Sequence, residues 1–83
     1  MTHISQDLHN AFPDDEAVLR RLKAEDRHFQ TLAARFEALD EEVLRIEGGS
    51  EAASDVRLEE IKKHRLALLD EIAACVAAAK KAA

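Results

Sequence analysis

Arg45-Ile46-Glu47-Gly48-Gly49-Ser50-Glu51-Ala52-Ala53-Ser54-Asp55 is the one interruption in a chain otherwise patterned for helix. Upstream, from Val18 to Ile46, apolar residues recur three and four apart. Downstream, the same spacing runs from Leu58 to Ala79. That period lines up side chains on one face of an α-helix. Glycine is a poor helix former and a good terminator, so the pair Gly48-Gly49 ends the first run. The reading is all-α: an antiparallel two-helix hairpin, coiled-coil-like, assembled into a helical bundle by oligomerisation.

The spacing predicts a first helix over about residues 14–47, roughly 50 Å long at 1.5 Å per residue. It begins near Pro13 or Asp14, because proline tolerates the first turn and Asp14, Asp15 and Glu16 suit the positive end of the helix dipole. The loop spans about residues 48–54, with Gly48 as the left-handed terminator. Ser54 or Asp55 caps a second helix over about residues 55–81. Its acidic start (Asp55, Glu59, Glu60) and basic end (Lys80, Lys81) both complement its dipole. Ahead of the hairpin, residues 1–12 form a separate segment with a short helical turn. Ser5 caps it, Ile4, Leu8 and Phe12 share a face, and Pro13 ends it.

With Leu22 as heptad position a, the first helix places Leu22, Phe29, Phe36 and Val43 at a, and Val18, Glu25, Leu32, Leu39 and Ile46 at d. Glu25 is the only polar residue among them. It either points outward or pairs with Lys80 or Lys81. The second helix places Leu58, Arg65, Ile72 and Ala79 at a, and Ile61, Leu68 and Cys75 at d. The predicted hairpin seam is therefore Leu32, Phe36, Leu39, Val43, Ile46, Leu58, Ile61, Arg65, Leu68, Ile72 and Cys75. Arg65 either bridges to Asp40, one residue beyond its layer, or lays its methylenes along the seam. Leu69 and Val76 widen the stripe beyond what a two-stranded seam needs.

The first helix outruns the second, leaving Val18, Leu19 and Leu22 with little opposite them. Either residues 4–12 fold back over them or a second chain does. The candidate oligomer or partner surface is Val18, Leu19, Leu22, Phe29, Leu69 and Val76. Size supports assembly: a chain of 83 residues with one cysteine has a thin private core and no internal disulfide. A homo-oligomer is expected, with a dimer favoured.

The net charge of −5 is a poor prior for nucleic-acid binding. It arises entirely in residues 1–47, where six Lys/Arg face eleven Asp/Glu. An alternative reading uses a basic end, formed by Arg20, Arg21, Lys23, Arg27, Lys80 and Lys81, as a dock for nucleic acid. No exposed aromatic stands there to stack on bases.

No nucleophile is paired with a base, and His3, His9, His28 and His64 have no metal-ligand spacing. The expectation is a non-enzymatic chain without cofactor or metal. Cys75, in Ala73-Ala74-Cys75-Val76-Ala77, lacks the basic neighbour a reactive thiol needs. The N-terminus has no signal-peptide pattern, and no stretch is apolar enough to span a bilayer, so a cytoplasmic location is expected.

Several ordered stretches carry a family resemblance. They are His9-Asn10-Ala11-Phe12-Pro13, Leu22-Lys23, Asp26, His28-Phe29, Leu32, Leu39-Asp40 and Arg45-Ile46-Glu47-Gly48. They continue in Ser54-Asp55, Leu58-Glu59-Glu60-Ile61-Lys62-Lys63, Arg65-Leu66, Leu68 and Asp70-Glu71-Ile72. Together they resemble the YdcH-like family of small bacterial proteins, built around a domain of unknown function. The resemblance runs from about His9 to Val76. It implies a coiled-coil-like helical hairpin and no established activity. Arg57 departs from the acidic capping residue usual in that family, and Leu69 from its usual lysine.

Overall fold

The computed structural model describes residues 6–82. The sequence readings for His3, Ile4 and Ser5 lie outside them. Every regular element among the described residues is a helix: α1 (Gln6–Ala11), α2 (Glu16–Glu25), α3 (Arg27–Glu47) and α4 (Asp55–Ala82).

The continuous helix expected over residues 14–47 is two helices. Asp26 leaves the helical region, with φ −108° and ψ 109°. Its amide still donates back to the carbonyl of Leu22 (2.8 Å), closing α2. Its carboxylate accepts the amide of Phe29 (3.0 Å) and so caps α3. The Gln30 side-chain amide donates to the carbonyl of Lys23 (2.8 Å), satisfying one more open group at the end of α2. A helix starting at Asp26 thus has its own cap, and α2 is free to take another direction.

Two measurements show that it does. Lys23 Nζ lies 3.9 Å from Glu37 Oε1. On one unbroken helix these residues would stand about 21 Å apart. The longest dimension of the molecule is 44 Å. That is close to the roughly 42 Å of the 28-residue α4 alone, and short of the roughly 50 Å rod. At the other end of α2, the expected start near Pro13 or Asp14 falls at Glu16, preceded by Asp15.

α3 and α4 pack against each other. Ion pairs join Glu42 to Arg57, Glu47 to Lys62 (3.1 Å) and Asp40 to Arg65 (2.7 Å). α2 reaches the far end of α4, where Arg21 donates to the carbonyl of Ala79 (3.3 Å) and Lys80 pairs with Asp15 (3.1 Å). One apolar cluster joins all four helices: Leu8, Leu19, Leu22, Phe29, Leu32, Ala33, Phe36, Ile72 and Val76. Phe12, Val18, Leu68, Leu69, Cys75 and Ala79 pack around it. Val43 and Ile61 are buried nearer the loop.

The loop after Glu47 closes as a Schellman motif. Gly49 N–H donates to Ile46 O (3.2 Å) and Ser50 N–H to Arg45 O (3.0 Å). The left-handed residue is Gly49, with φ +83°, and not Gly48, which stays helical at φ −79°. The terminator lies one residue later than expected because Gly48 still accommodates the last helical turn. Ser54 Oγ then accepts the amide of Arg57 (3.2 Å) and caps α4.

Asp26→Ala should lower the unfolding free energy by about 1 kcal/mol, while Asp26→Asn retains most of it, as read from denaturant midpoints. Gly49→Ala should cost about 1 kcal/mol, purely from backbone conformation, since a Cβ there meets nothing within 4 Å. Equal midpoints for wild type and Gly49→Ala would contradict the left-handed assignment.

Candidate interaction surface

Six residues are expected to face a partner, and the structure uses four of them internally. Leu19, Leu22, Phe29 and Val76 are buried in the core of a single chain. Val18 and Leu69 are half-buried against the same cluster. The reason is the break at Asp26 together with α1, whose Leu8 is completely buried among them. The apolar surface that a straight rod would leave bare is covered from within.

Among the expected seam residues, Leu32, Phe36, Val43, Ile61 and Ile72 are buried. Leu39, Ile46, Leu58, Arg65, Leu68 and Cys75 are half-buried. Arg65 bridges to Asp40, which decides between its two readings. Glu25 is exposed and forms no ion pair among the described residues; Lys80 goes to Asp15 instead.

α1 brings a further acid to the Arg65–Asp40 pair. The Asp7 carboxyl is raised above its ordinary range by a hydrogen bond with Asp40, then by burial and the charge of Asp40, with Arg65 opposing. Two carboxyls beside one guanidinium hold a proton more readily than either would alone. Cys75 is also raised, by burial first and then by Asp26 and Glu71, which favours the thiol over the reactive thiolate. Glu37 Oε1 is buried without a hydrogen bond, and Lys23 at 3.9 Å is its nearest recorded countercharge.

The basic end is largely spent within the chain. Arg20 pairs with Glu16 (2.7 Å), Arg21 binds the Ala79 carbonyl, Lys23 lies near Glu37 and Lys80 binds Asp15. Among the described residues, Arg27 and Lys81 are the two of the six whose side chains form neither an ion pair nor a hydrogen bond. Among the described residues, no three His, Cys, Asp or Glu side chains converge as metal ligands, and no helix is long and apolar enough to cross a membrane.

One side of the α3–α4 pair remains open. A groove between the two helices is lined by Arg35, Ala38 and Leu39 from α3 and by His64, Ala67, Leu68, Asp70 and Glu71 from α4. Of the groove residues, only Leu39 and Leu68 belong to the expected seam. Beyond the groove, Leu44 (64%), Val56 (69%) and Leu66 (59%) are the strongly exposed large apolar side chains. The sequence signal for the groove is present: residues 35, 38, 39 and 42 and residues 64, 67, 68 and 71 each follow a helical face. It is masked because alanine and charge fill most of those positions.

The fold defines a small all-helical protein whose open feature is a helix–helix groove. The chain belongs to the YdcH-like family, whose model, described as a protein of unknown function (DUF465), matches residues 29–76. The match covers α3, the loop and most of α4. No match was found among curated proteins or among solved structures.

The raised Asp7 fixes the sign of a pH effect. Its contribution to stability is full below the unfolded carboxyl value, 3.8, and is lost as pH rises through the higher folded value. Asp7→Asn, a neutral donor toward Asp40, should therefore stabilise the fold at neutral pH and flatten its pH dependence in that window. Thermal melts between pH 3.5 and pH 7 check this; a steeper dependence in the variant would refute it.

Proposed function

We propose that the chain is a non-enzymatic helical module that acts by protein–protein association, with a second copy of itself as its first partner. The finer architecture under this reading is an antiparallel, coiled-coil-like hairpin of α3 and α4, buttressed by α1 and α2. The observation that carries it is one-sided coverage. Leu8, Leu19 and Leu22 close one side of the α3–α4 pair, while the groove lined by Leu39 and Leu68 has none of the described residues over it. Helix pairs in bundles bury both sides of their seam, so an uncovered side invites two more helices.

The lone Cys75 has no partner in the chain for a disulfide, which accords with a reducing, cytoplasmic setting. The nucleic-acid reading loses ground because four of its six basic residues are engaged within the chain.

Sedimentation equilibrium over a concentration series tests the proposal. The weight-average mass should climb from 9.2 kDa toward twice that value as protein is added. A mass fixed at 9.2 kDa throughout would overturn it.

A further inference from the structure

Resting on that reading of self-association, we infer that the contact is the open α3–α4 groove, met by the same groove of a second copy turned end for end. The inference comes from a pattern that the two helices share. On α3 the open side reads Arg35, Ala38, Leu39, Glu42; on α4 it reads His64, Ala67, Leu68, Glu71. Both are spaced i, i+3, i+4, i+7, which is one helix face over two turns. Both run in the same order: a basic ring or guanidinium, an alanine, a leucine, a glutamate.

A stripe of that order is complementary to itself when reversed. Antiparallel to its own copy, Arg35 faces Glu42 of the second chain, and Ala38 faces Leu39. On α4, His64 faces Glu71 and Ala67 faces Leu68. Each leucine thus meets a small residue, which lets the helices approach. Arg35 meets its opposite charge twice, once on each side of the symmetry axis, and the His64 ring meets the Glu71 carboxylate as a hydrogen-bond donor in the same way. A closed dimer of this kind needs a surface that is its own complement.

The two stripes also have to agree on one axis, and they do. The axis crosses α3 between Ala38 and Leu39, and α4 between Ala67 and Leu68. The groove sets Arg35, Ala38 and Leu39 beside His64, Ala67 and Leu68, and the 2.7 Å bond from Arg65 to Asp40 ties the two helices at that same level. Counting along the antiparallel pair, the two crossing points then differ by about one residue, or roughly 1.5 Å. A single two-fold axis serves both helices.

The polar groups of the two stripes are available. Arg35, His64 and Glu71 stand in none of the ion pairs among the described residues. Glu42 is bound through Oε1 to Arg57 of its own chain, which leaves Oε2 to accept from a second chain.

Charge reversal tests the arrangement on the full chain. Arg35→Glu alone and Glu42→Arg alone each place like charges together at two symmetric points. Each should weaken the dimer on the order of tenfold by sedimentation equilibrium. An equimolar mixture of the two variants should associate again, as a heterodimer, to near the wild-type constant. Ala67→Glu, at an exposed central position, should abolish association while circular dichroism keeps its helical signal; it covers the case in which loss of the Arg57 contact unfolds Glu42→Arg. A wild-type dimer indifferent to Arg35→Glu and Ala67→Glu would overturn this surface and leave self-association standing by another face. A wild-type chain that stays monomeric would overturn both.

Discussion

The hydrogen bond from the Phe29 amide to the Asp26 carboxylate sets the point at which residues 14–47 turn from a rod into a corner. A side-chain cap contributes only about 1 kcal/mol. Burying a leucine contributes about 1.5–3 kcal/mol, and the corner buries both Leu19 and Leu22. The cap therefore selects where the chain bends, and the apolar burial that follows stabilises the bend. Leu8 of α1 can join the cluster because α2 has already brought Leu19 and Leu22 against Phe29, Ile72 and Val76. With the corner in place, a chain of this size assembles a four-helix core without a partner at that end.

Heptad periodicity could not reveal the corner, because one residue leaves the helix and the apolar spacing passes straight through it. Leu22, Phe29 and Phe36 keep the same register on either side of Asp26. Two local signals did mark it: Glu25, the polar residue in the seam, and Asp26, three before Phe29, in the position of a helix cap. The same blindness left Leu19 and Leu22 open between a fold-back of residues 4–12 and a partner chain; Leu8 of α1 stands among them, as the first of those readings expects. What periodicity does record was legible, including the buried faces of α3 and α4 and the glycine break; for Arg65 it left two readings open, and the bond to Asp40 selects one. The left-handed residue fell one position off because adjacent glycines leave the choice to hydrogen bonding. Asp7 was illegible because α1 docks outside the heptad frame altogether.

The distribution of charge follows from the same geometry. Folding α2 back brings Lys23 near Glu37, and Asp15 to Lys80, so the basic residues of that end meet acids of their own chain. Ion pairs also join α3 to α4 on either side of the loop. Beside the groove, Arg35, His64, Asp70 and Glu71 stand outside the ion pairs among the described residues. A groove with both signs at its rim has the means to recognise a surface of the same mixed kind.

Arg65 links the two halves of this architecture. Its guanidinium fixes the level of α4 against α3 through Asp40, and it also faces Asp7 on α1. Polar residues in a helical seam specify register more than they stabilise it. Here the register matters twice. It aligns Leu32, Phe36 and Ile72 in the covered core, and it sets Ala38 and Leu39 beside Ala67 and Leu68 on the open side. A slip of one turn would leave both stripes intact on their own helices. It would also move their midpoints about 5.4 Å apart, too far for one symmetry axis to serve both. The bridge that serves the interior thus also determines whether the exterior can be self-complementary.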